Sequence, residues 1–172
     1  MIAKEKLNIL WSLEQTAEKY ADRVAVSDVN QELTWKELVK KAQVIGAELS
    51  EKVQPGNPVP VLLEKSSETL AVMLGIVYAG CFYVPVNPMN PAERLRKIME
   101  KLEPEVIISD EKGKEQLAVV GVGLEEKVIG PETLLPTTGT DLSEEQRSKL
   151  EQIQGQWKET DALYGIFTSG ST

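Results

Sequence analysis

Residues 58–110 read PVPVLLEKSSETLAVMLGIVYAGCFYVPVNPMNPAERLRKIMEKLEPEVIISD, in which short apolar runs alternate with segments of helical length. The apolar runs at 59–63, 82–86 and 106–108 are typical of buried β-strands. The order strand, helix, strand, helix, strand favours parallel strands joined by crossover helices. We therefore predict an α/β fold with a parallel or mostly parallel sheet flanked by helices.

The starts of the two intervening helices are marked by capping residues. Ser66 or Ser67 can cap the first helix, which is apolar nearly all round and is therefore expected to be buried. In the second helix, Asn90 can act as the N-cap, Pro91 fits the first helical position, and Glu93 can complete a capping box.

The sequence before this stretch predicts three further elements. Apolar residues at helical spacing favour an amphipathic helix over 7–20, and 24–26 read as a short strand. Thr34 followed by Glu37 is a capping box, which indicates that another helix starts there.

The pattern weakens after Gly113. Residues 128–129 are a possible strand, and 131–161 are predicted to be a loop-rich connector, because their first part is rich in Pro, Thr and Gly. Within that connector, Ser143 and Gln146 can cap a short polar helix.

Composition limits the classes of function. With 172 residues and 41% hydrophobic content, the chain can bury the core of one domain. A net charge of −8 argues against nucleic acid as a partner. The basic residues Arg94, Arg96, Lys97 and Lys101 stand at helical spacing and are interpreted as a solvated helix face.

The chain has no histidine and a single cysteine, Cys81. A histidine base, a histidine-containing triad, a disulfide, a cysteine-based metal site and most zinc sites are thereby excluded, and we predict no metal ligand. Cys81 is expected to be a buried structural thiol. No secretory signal and no run of membrane-spanning length is present, so we expect a cytoplasmic setting without a membrane span.

The final ten residues are the main candidate for chemistry. An apolar run, Leu163 to Phe167, leads into small and hydroxyl-bearing residues of the kind that let a phosphate approach the backbone closely. The candidate phosphate contacts are Thr168, Ser169, Gly170, Ser171 and Thr172. An ordinary polar loop explains the same residues, and they match neither the Walker pattern nor Gly-x-Gly-x-x-Gly.

Three segments together resemble a known family. The run AGCFYVPVNPMNPAERL at 79–95 is similar to the second motif of amino-acid-activating adenylation domains, which belong to the adenylate-forming (AMP-binding) ligase superfamily with acyl-CoA synthetases and luciferases. LTWKEL at 33–38 resembles the first motif, and 164–172 the start of the third, the phosphate-binding loop. The positions at which this sequence departs from the family's usual residues lie in the first two motifs, which are structural in the family. They are Trp35, Asn87, Asn90 and the pair Cys81-Phe82.

The resemblance implies a reaction. In such ligases the substrate carboxylate attacks the α-phosphorus of ATP, and the resulting acyl-adenylate passes its acyl group to the thiol of a phosphopantetheine carrier protein or of coenzyme A. Residues 168–172 would contact the β- and γ-phosphates, and Mg²⁺ would accompany the nucleotide. An amino acid is the expected carboxylate.

The resemblance also implies that 1–172 are the N-terminal portion of an adenylation domain, ending within its phosphate-binding loop. The catalytic lysine of such ligases belongs to their C-terminal domain, so the resemblance implies no catalytic residue in this chain. We therefore expect this chain alone to be inactive as a ligase and to self-associate through uncovered apolar surface. The alternative is a stand-alone, non-catalytic partner-binding module or one half of a split enzyme.

Overall fold

The computed structural model describes residues 9–121, 123–135 and 141–168. In chain order the elements are α1 (Ile9–Lys19), β1 (Val24–Ser27), β2 (Glu32–Thr34), α2 (Trp35–Ser50), β3 (Pro58–Leu62), α3 (Ser67–Tyr78), β4 (Phe82–Pro85), α4 (Ala92–Leu102), β5 (Ile107–Ser109), α5 (Glu111–Val120), β6 (Val128–Ile129), α6 (Pro131–Leu134) and α7 (Glu144–Gln156). The predicted strands and helices between 58 and 110 are all present.

The main sheet is parallel. Its strand order is β4-β3-β5-β6, and each neighbouring pair is parallel. Val61 lies opposite Pro85 on one side and Ile108 on the other. The predicted α/β fold is therefore confirmed.

Successive residues of each strand face different layers of the core. Val61 and Ile108 pack in one hydrophobic cluster with residues of α2 and α3. Leu62 and Ile107, one residue away along their strands, pack in a second cluster with residues of α4 and α5. Because both faces of the sheet are covered, its strands read as continuous apolar runs, as the sequence indicated.

Close packing of α2 against α3 depends on two glycines. A Cβ added at Gly46 would lie 2.4 Å from the Tyr78 Cβ, and one added at Gly75 would lie 2.4 Å from the Ile45 Cγ2. The two helices therefore meet closely because these positions have no side chain. The expectation that α3 is buried is confirmed for most of its residues, although Leu70 is 37% exposed.

Most helix starts follow the predicted capping chemistry. The Thr34 hydroxyl accepts from the Glu37 N–H while the Glu37 carboxylate accepts from the Thr34 N–H, which is a complete capping box for α2. Ser66, rather than Ser67, caps α3.

The predicted cap of α4 is wrong. Pro91 occupies the N-cap position with φ −54° and ψ 144°, and no side chain caps the helix. Asn87 instead shapes the approach, because its Oδ1 accepts from the Met89 N–H at 2.9 Å and its carbonyl from the Asn90 N–H at 3.0 Å. Asn90 therefore lies one residue too early to cap.

The elements β2 and α5 were not foreseen from the sequence. The short strand β2 forms an antiparallel hairpin with β1. Helix α5 begins at an N-cap, Asp110, whose Oδ1 accepts from the Gly113 N–H at 2.8 Å. Its two main buried apolar residues, Leu117 and Val120, are too few to make a strong helical pattern.

The segment 131–161, expected as a loop-rich connector, contains α6 and α7. Helix α7 starts at the predicted capping box of Ser143 and Gln146 and buries Leu150 and Ile153. Lys149 ties it to α2, because its Nζ donates to the Ser50 carbonyl at 3.0 Å and pairs with Glu51.

The single thiol is structural. Cys81 is buried, and its Sγ donates to the Gln54 carbonyl oxygen at 3.3 Å. Burial raises the pKa of this thiol to about 11. Among the described residues, no three His, Cys, Asp or Glu side chains group as a metal site, and no helix is both long and apolar enough to cross a bilayer.

Candidate phosphate-binding edge

Residues 163–168 run beside the edge strand β4. Tyr164 forms a parallel bridge with Tyr83. The Gly165 N–H donates to the Tyr83 carbonyl at 3.0 Å, and the Tyr83 N–H donates to the Leu163 carbonyl at 3.4 Å. The apolar run at the end of the sequence is therefore docked on the sheet by a short bridge.

Side chains along this segment alternate between the interior and solvent. Leu163 and Phe167 pack against buried clusters, whereas Tyr164 and Ile166 are 55% and 64% exposed. The rings of Tyr83 and Tyr164 stack with centroids 6.0 Å apart. Burial, together with the neighbouring Tyr164, raises the pKa of Tyr83.

The direction of the segment determines where the candidate loop begins. Because the bridge is parallel, the chain after Tyr164 runs toward the carboxyl ends of β3 and β4. Open α/β sheets bind ligands at that edge. Thr168 is described there, whereas Ser169, Gly170, Ser171 and Thr172 lie outside the described residues.

Helix α4 contributes a cation that sequence reasoning assigned to solvent. The Nη2 of Arg94 donates to the Thr168 carbonyl oxygen at 3.1 Å and lies 3.5 Å from the Phe167 carbonyl oxygen. Lys101 Nζ lies 5.8 Å from the centroid of the Phe167 ring. The solvated-face interpretation is therefore wrong for Arg94, although Arg96 and Lys97 do pair with acidic residues on the helix surface.

A signal for this contact existed in the sequence. Arg94 and Lys101 are seven positions apart and so share one helix face. Ile98, which is buried, lies between them on that face. Basic residues along one margin of an apolar stripe can reach a segment that packs against the same stripe.

Two of the grooves in the described part of the chain differ in their position relative to this segment. One, of about 780 Å³, opens at the carboxyl ends of β3 and β4 and includes Leu63, Met73, Asn87 and Met89 in its lining. The other, of about 650 Å³, is lined by residues of α1, α2 and α7 and their flanking segments and by none from the sheet. Only the first adjoins the edge to which 163–168 lead.

Comparison with known proteins establishes the family. The family model described as "AMP-binding enzyme" matches residues 13–172. The chain belongs to the AMP-binding enzyme family. Its fold and the three sequence motifs agree with this membership, and the predicted resemblance is confirmed.

The relatives place this AMP-binding chain at the N-terminal part of an adenylation domain. Over 164 residues it is 32% identical to bacitracin synthase 1 from Bacillus licheniformis, covering 92% of this chain and 3% of that protein. A nonribosomal peptide synthetase, FmoA3, solved with AMPPNP bound, is 26% identical with a TM-score of 0.65, covering 77% of this chain and 14% of that one.

A further solved structure shares the fold over nearly the whole chain. VinN, solved in complex with L-aspartate, superposes with a TM-score of 0.75 at 24% identity, covering 94% of this chain and 44% of VinN. The AMP-binding chain thus spans less than half of each of these proteins.

Proposed function

We propose that this chain is the N-terminal subdomain of an ATP-dependent ligase that activates an amino acid as its acyl-adenylate and transfers it to a thiol. One observation carries the proposal: the segment paired with β4 leads Thr168 to the carboxyl edge of the sheet, and in the sequence Thr168 begins the hydroxyl-rich stretch. The acceptor thiol would belong to a phosphopantetheine carrier protein or to coenzyme A.

The described residues fit the nucleotide. An anion at this edge would lie near Arg94 and Lys101, two cations on the face of α4 next to 167–168, although the chain as a whole carries a charge of −8. In the sequence, 168–172 are residues of the small, hydroxyl-bearing kind that lets a phosphate approach the backbone closely. Bound ATP would supply the electrophilic α-phosphorus, and Mg²⁺ would accompany its phosphates.

The chain's own part in the reaction is to bind and orient. The hydroxyls of Thr168, Ser169, Ser171 and Thr172 and the backbone of Gly170 would hold the β- and γ-phosphates. Charge stabilisation and positioning are what such a transfer requires of a protein, because the carboxylate itself is the nucleophile. The buried Cys81 thiol fits this scheme, since its raised pKa makes it a poor nucleophile.

Exchange of labelled pyrophosphate into ATP tests the proposal. The protein encoded by the whole reading frame that contains this chain is offered single amino acids. We expect exchange with one acid or a small set, and a loss of about 100-fold when Ser169 and Ser171 are both changed to alanine. Ser148→Ala, which removes an exposed hydroxyl on α7, is the matched control. No exchange with any acid would contradict the proposal.

The same assay distinguishes the proposed ligase from the alternative of a non-catalytic module. The 172-residue chain alone is expected to show no exchange above a variant lacking Thr172. A reading frame that continues as Gly-x-Pro-Lys-Gly supports the ligase. A stop codon after Thr172 favours a stand-alone partner-binding module or one half of a split enzyme.

We also propose that the isolated chain self-associates through exposed apolar side chains. Met89 and Ile166 are 68% and 64% exposed. Sedimentation velocity should show a mass that rises with concentration. A monomer at every concentration would contradict this proposal.

A further inference from the structure

We infer that Arg94 is a positioning residue for the phosphate-binding loop, because its guanidinium holds the Phe167–Thr168 backbone against α4 and fixes the point from which 169–172 continue. The effect that we expect Arg94 to have on catalysis rests on the proposed function. The contact itself stands on geometry alone: the Nη2 of Arg94 lies 3.1 Å from the Thr168 carbonyl oxygen and 3.5 Å from that of Phe167.

The helix that carries Arg94 is rigidly held. Leu95 and Ile98 are each 1% exposed and pack in the cluster that includes Val84 of β4 and is contacted by Phe167. A side chain on such an element can place a neighbouring backbone more accurately than one on a loop.

The guanidinium is itself restrained. Its Nε is buried and has no hydrogen-bond partner among the described residues, so this side of the half-buried group faces the protein rather than water. Burial of an unpartnered N–H is unfavourable unless other contacts of the group offset it. The bonds from Nη2 to the backbone at 167–168 are those contacts.

Other basic residues on α4 behave differently. Arg96 pairs with Glu100 at 2.9 Å and Lys97 with Glu93 at 3.8 Å, both along the exposed surface of the same helix. Arg94 has no such ion pair in the described part of the chain and turns toward the segment that leads to the loop. Lys101 supports it, since its Nζ lies over the Phe167 ring.

The contact matters for an anion because of the peptide dipole. A carbonyl oxygen is the negative end of that dipole and repels a phosphate. The hydrogen bond from Arg94 directs the Thr168 carbonyl oxygen toward α4, and the positive guanidinium offsets the partial negative charge of that oxygen. The guanidinium also adds a positive charge at the start of the loop, which favours a bound phosphate.

The first test does not depend on activity. In the isolated chain, Arg94→Gln should shift the carbonyl ¹³C resonances of Phe167 and Thr168 and increase the rate of chymotrypsin cleavage after Phe167 by about fivefold. Arg96→Gln is the matched control and should change neither. Thermal unfolding of each variant shows that the fold is intact. Unchanged carbonyl shifts and cleavage in Arg94→Gln would overturn the inference.

The second test uses pyrophosphate exchange by the protein of the whole reading frame. Arg94→Gln should raise the KM for ATP about tenfold with little change in the KM for the acid, whereas Arg94→Lys restores part of the loss and Arg96→Gln matches the unsubstituted protein. An unchanged KM for ATP in an active Arg94→Gln enzyme would overturn the inference about Arg94 and leave the proposed function standing. If the unsubstituted protein lacks exchange, the proposed function fails, and the carbonyl shifts decide whether Arg94 holds the segment.

Discussion

The N–H of Gly165 donates to the carbonyl oxygen of Tyr83 at 3.0 Å, which attaches the last described segment to the edge of the parallel sheet. This bond and the parallel bridge at Tyr164 fix the direction in which the segment runs along β4. Thr168 reaches the carboxyl edge of the sheet because of that direction.

Amide hydrogen exchange should detect this attachment. We expect the Gly165 N–H to exchange about tenfold or more slowly than the Ile166 N–H, because successive N–H groups of an extended segment point to opposite sides. Exchange of ¹⁵N-labelled chain followed by NMR makes the comparison within one sample. Equal protection of the two amides would show that the segment is not docked on β4.

The contact between α2 and α3 should not tolerate a methyl group. Gly75→Ala is expected to destabilise the fold by about 1–3 kcal/mol, because the added Cβ would meet Ile45 Cγ2 at 2.4 Å. Urea unfolding followed by circular dichroism measures the change. Val119→Ala on α5, where the side chain is 79% exposed, is the control and should change stability by less than about 0.5 kcal/mol. A neutral Gly75→Ala would mean that the two helices lie further apart.

The capping box at the start of α2 should contribute measurably to stability. Thr34→Ala removes the hydroxyl that accepts from the Glu37 N–H and is expected to cost about 1 kcal/mol. Thr16→Ala is a matched control, since the Thr16 hydroxyl only donates to the Ser12 carbonyl within α1. Equal unfolding midpoints for the two variants would argue against the box.

Asp28 should make stability depend on pH on the acid side. Hydrogen bonds from the Ser67 backbone and hydroxyl, each at 2.7 Å, and from the N–H groups of Asn30 and Gln31 hold the pKa of this carboxyl well below its ordinary value of 3.8. Because the folded-state pKa is lowered, the stabilisation is fully present above about pH 4 and is lost as the pH falls toward the folded-state value.

Substitution of Asp28 tests the direction of this pH dependence. Asp28→Asn should be less stable than the unsubstituted chain at pH 7, and the difference should shrink as the pH falls below 4. Asp22→Asn makes the same chemical change at an exposed site and serves as the control. A difference that stays constant from pH 7 to pH 3 would contradict the role assigned to Asp28.

The Cys81 thiol should react slowly in the folded chain. It is 2% exposed, and burial raises its pKa to about 11, so the reactive thiolate is scarce at pH 8. Labelling with a chromogenic disulfide reagent should be slow under native conditions and rapid in urea. Rapid native labelling would place the thiol at the surface.

Part of the fold could be predicted because its signals are local. Buried strands such as β3 lie in continuous apolar runs, and Thr34 with Glu37 forms a cap within four residues. The sequence indicated β1 at 24–26, but its partner β2 has only three residues, and the pairing of the two strands leaves no such local pattern.

The candidate site also has features that the sequence indicated and features that depend on tertiary packing. The order of three motifs indicated the family, which the comparison confirms, whereas the phosphate-binding role of 168–172 stays a prediction. The contact from Arg94 to Thr168 spans 74 positions and depends on the packing of α4 beside β4, so residue spacing alone did not reveal it. The cap of α4 was predicted one residue too early, because Pro91 and not Asn90 occupies the N-cap position.

The fate of oxygen during the reaction tests the central claim most directly. The protein of the whole reading frame is given its amino acid labelled with ¹⁸O in the carboxylate, together with ATP, Mg²⁺ and an acceptor thiol. Attack of the carboxylate on the α-phosphorus releases pyrophosphate, and later transfer of the acyl group to the thiol leaves one carboxylate oxygen on AMP. The proposed function predicts ¹⁸O in AMP by mass spectrometry. Label in inorganic phosphate with formation of ADP, or unlabelled AMP, would contradict it.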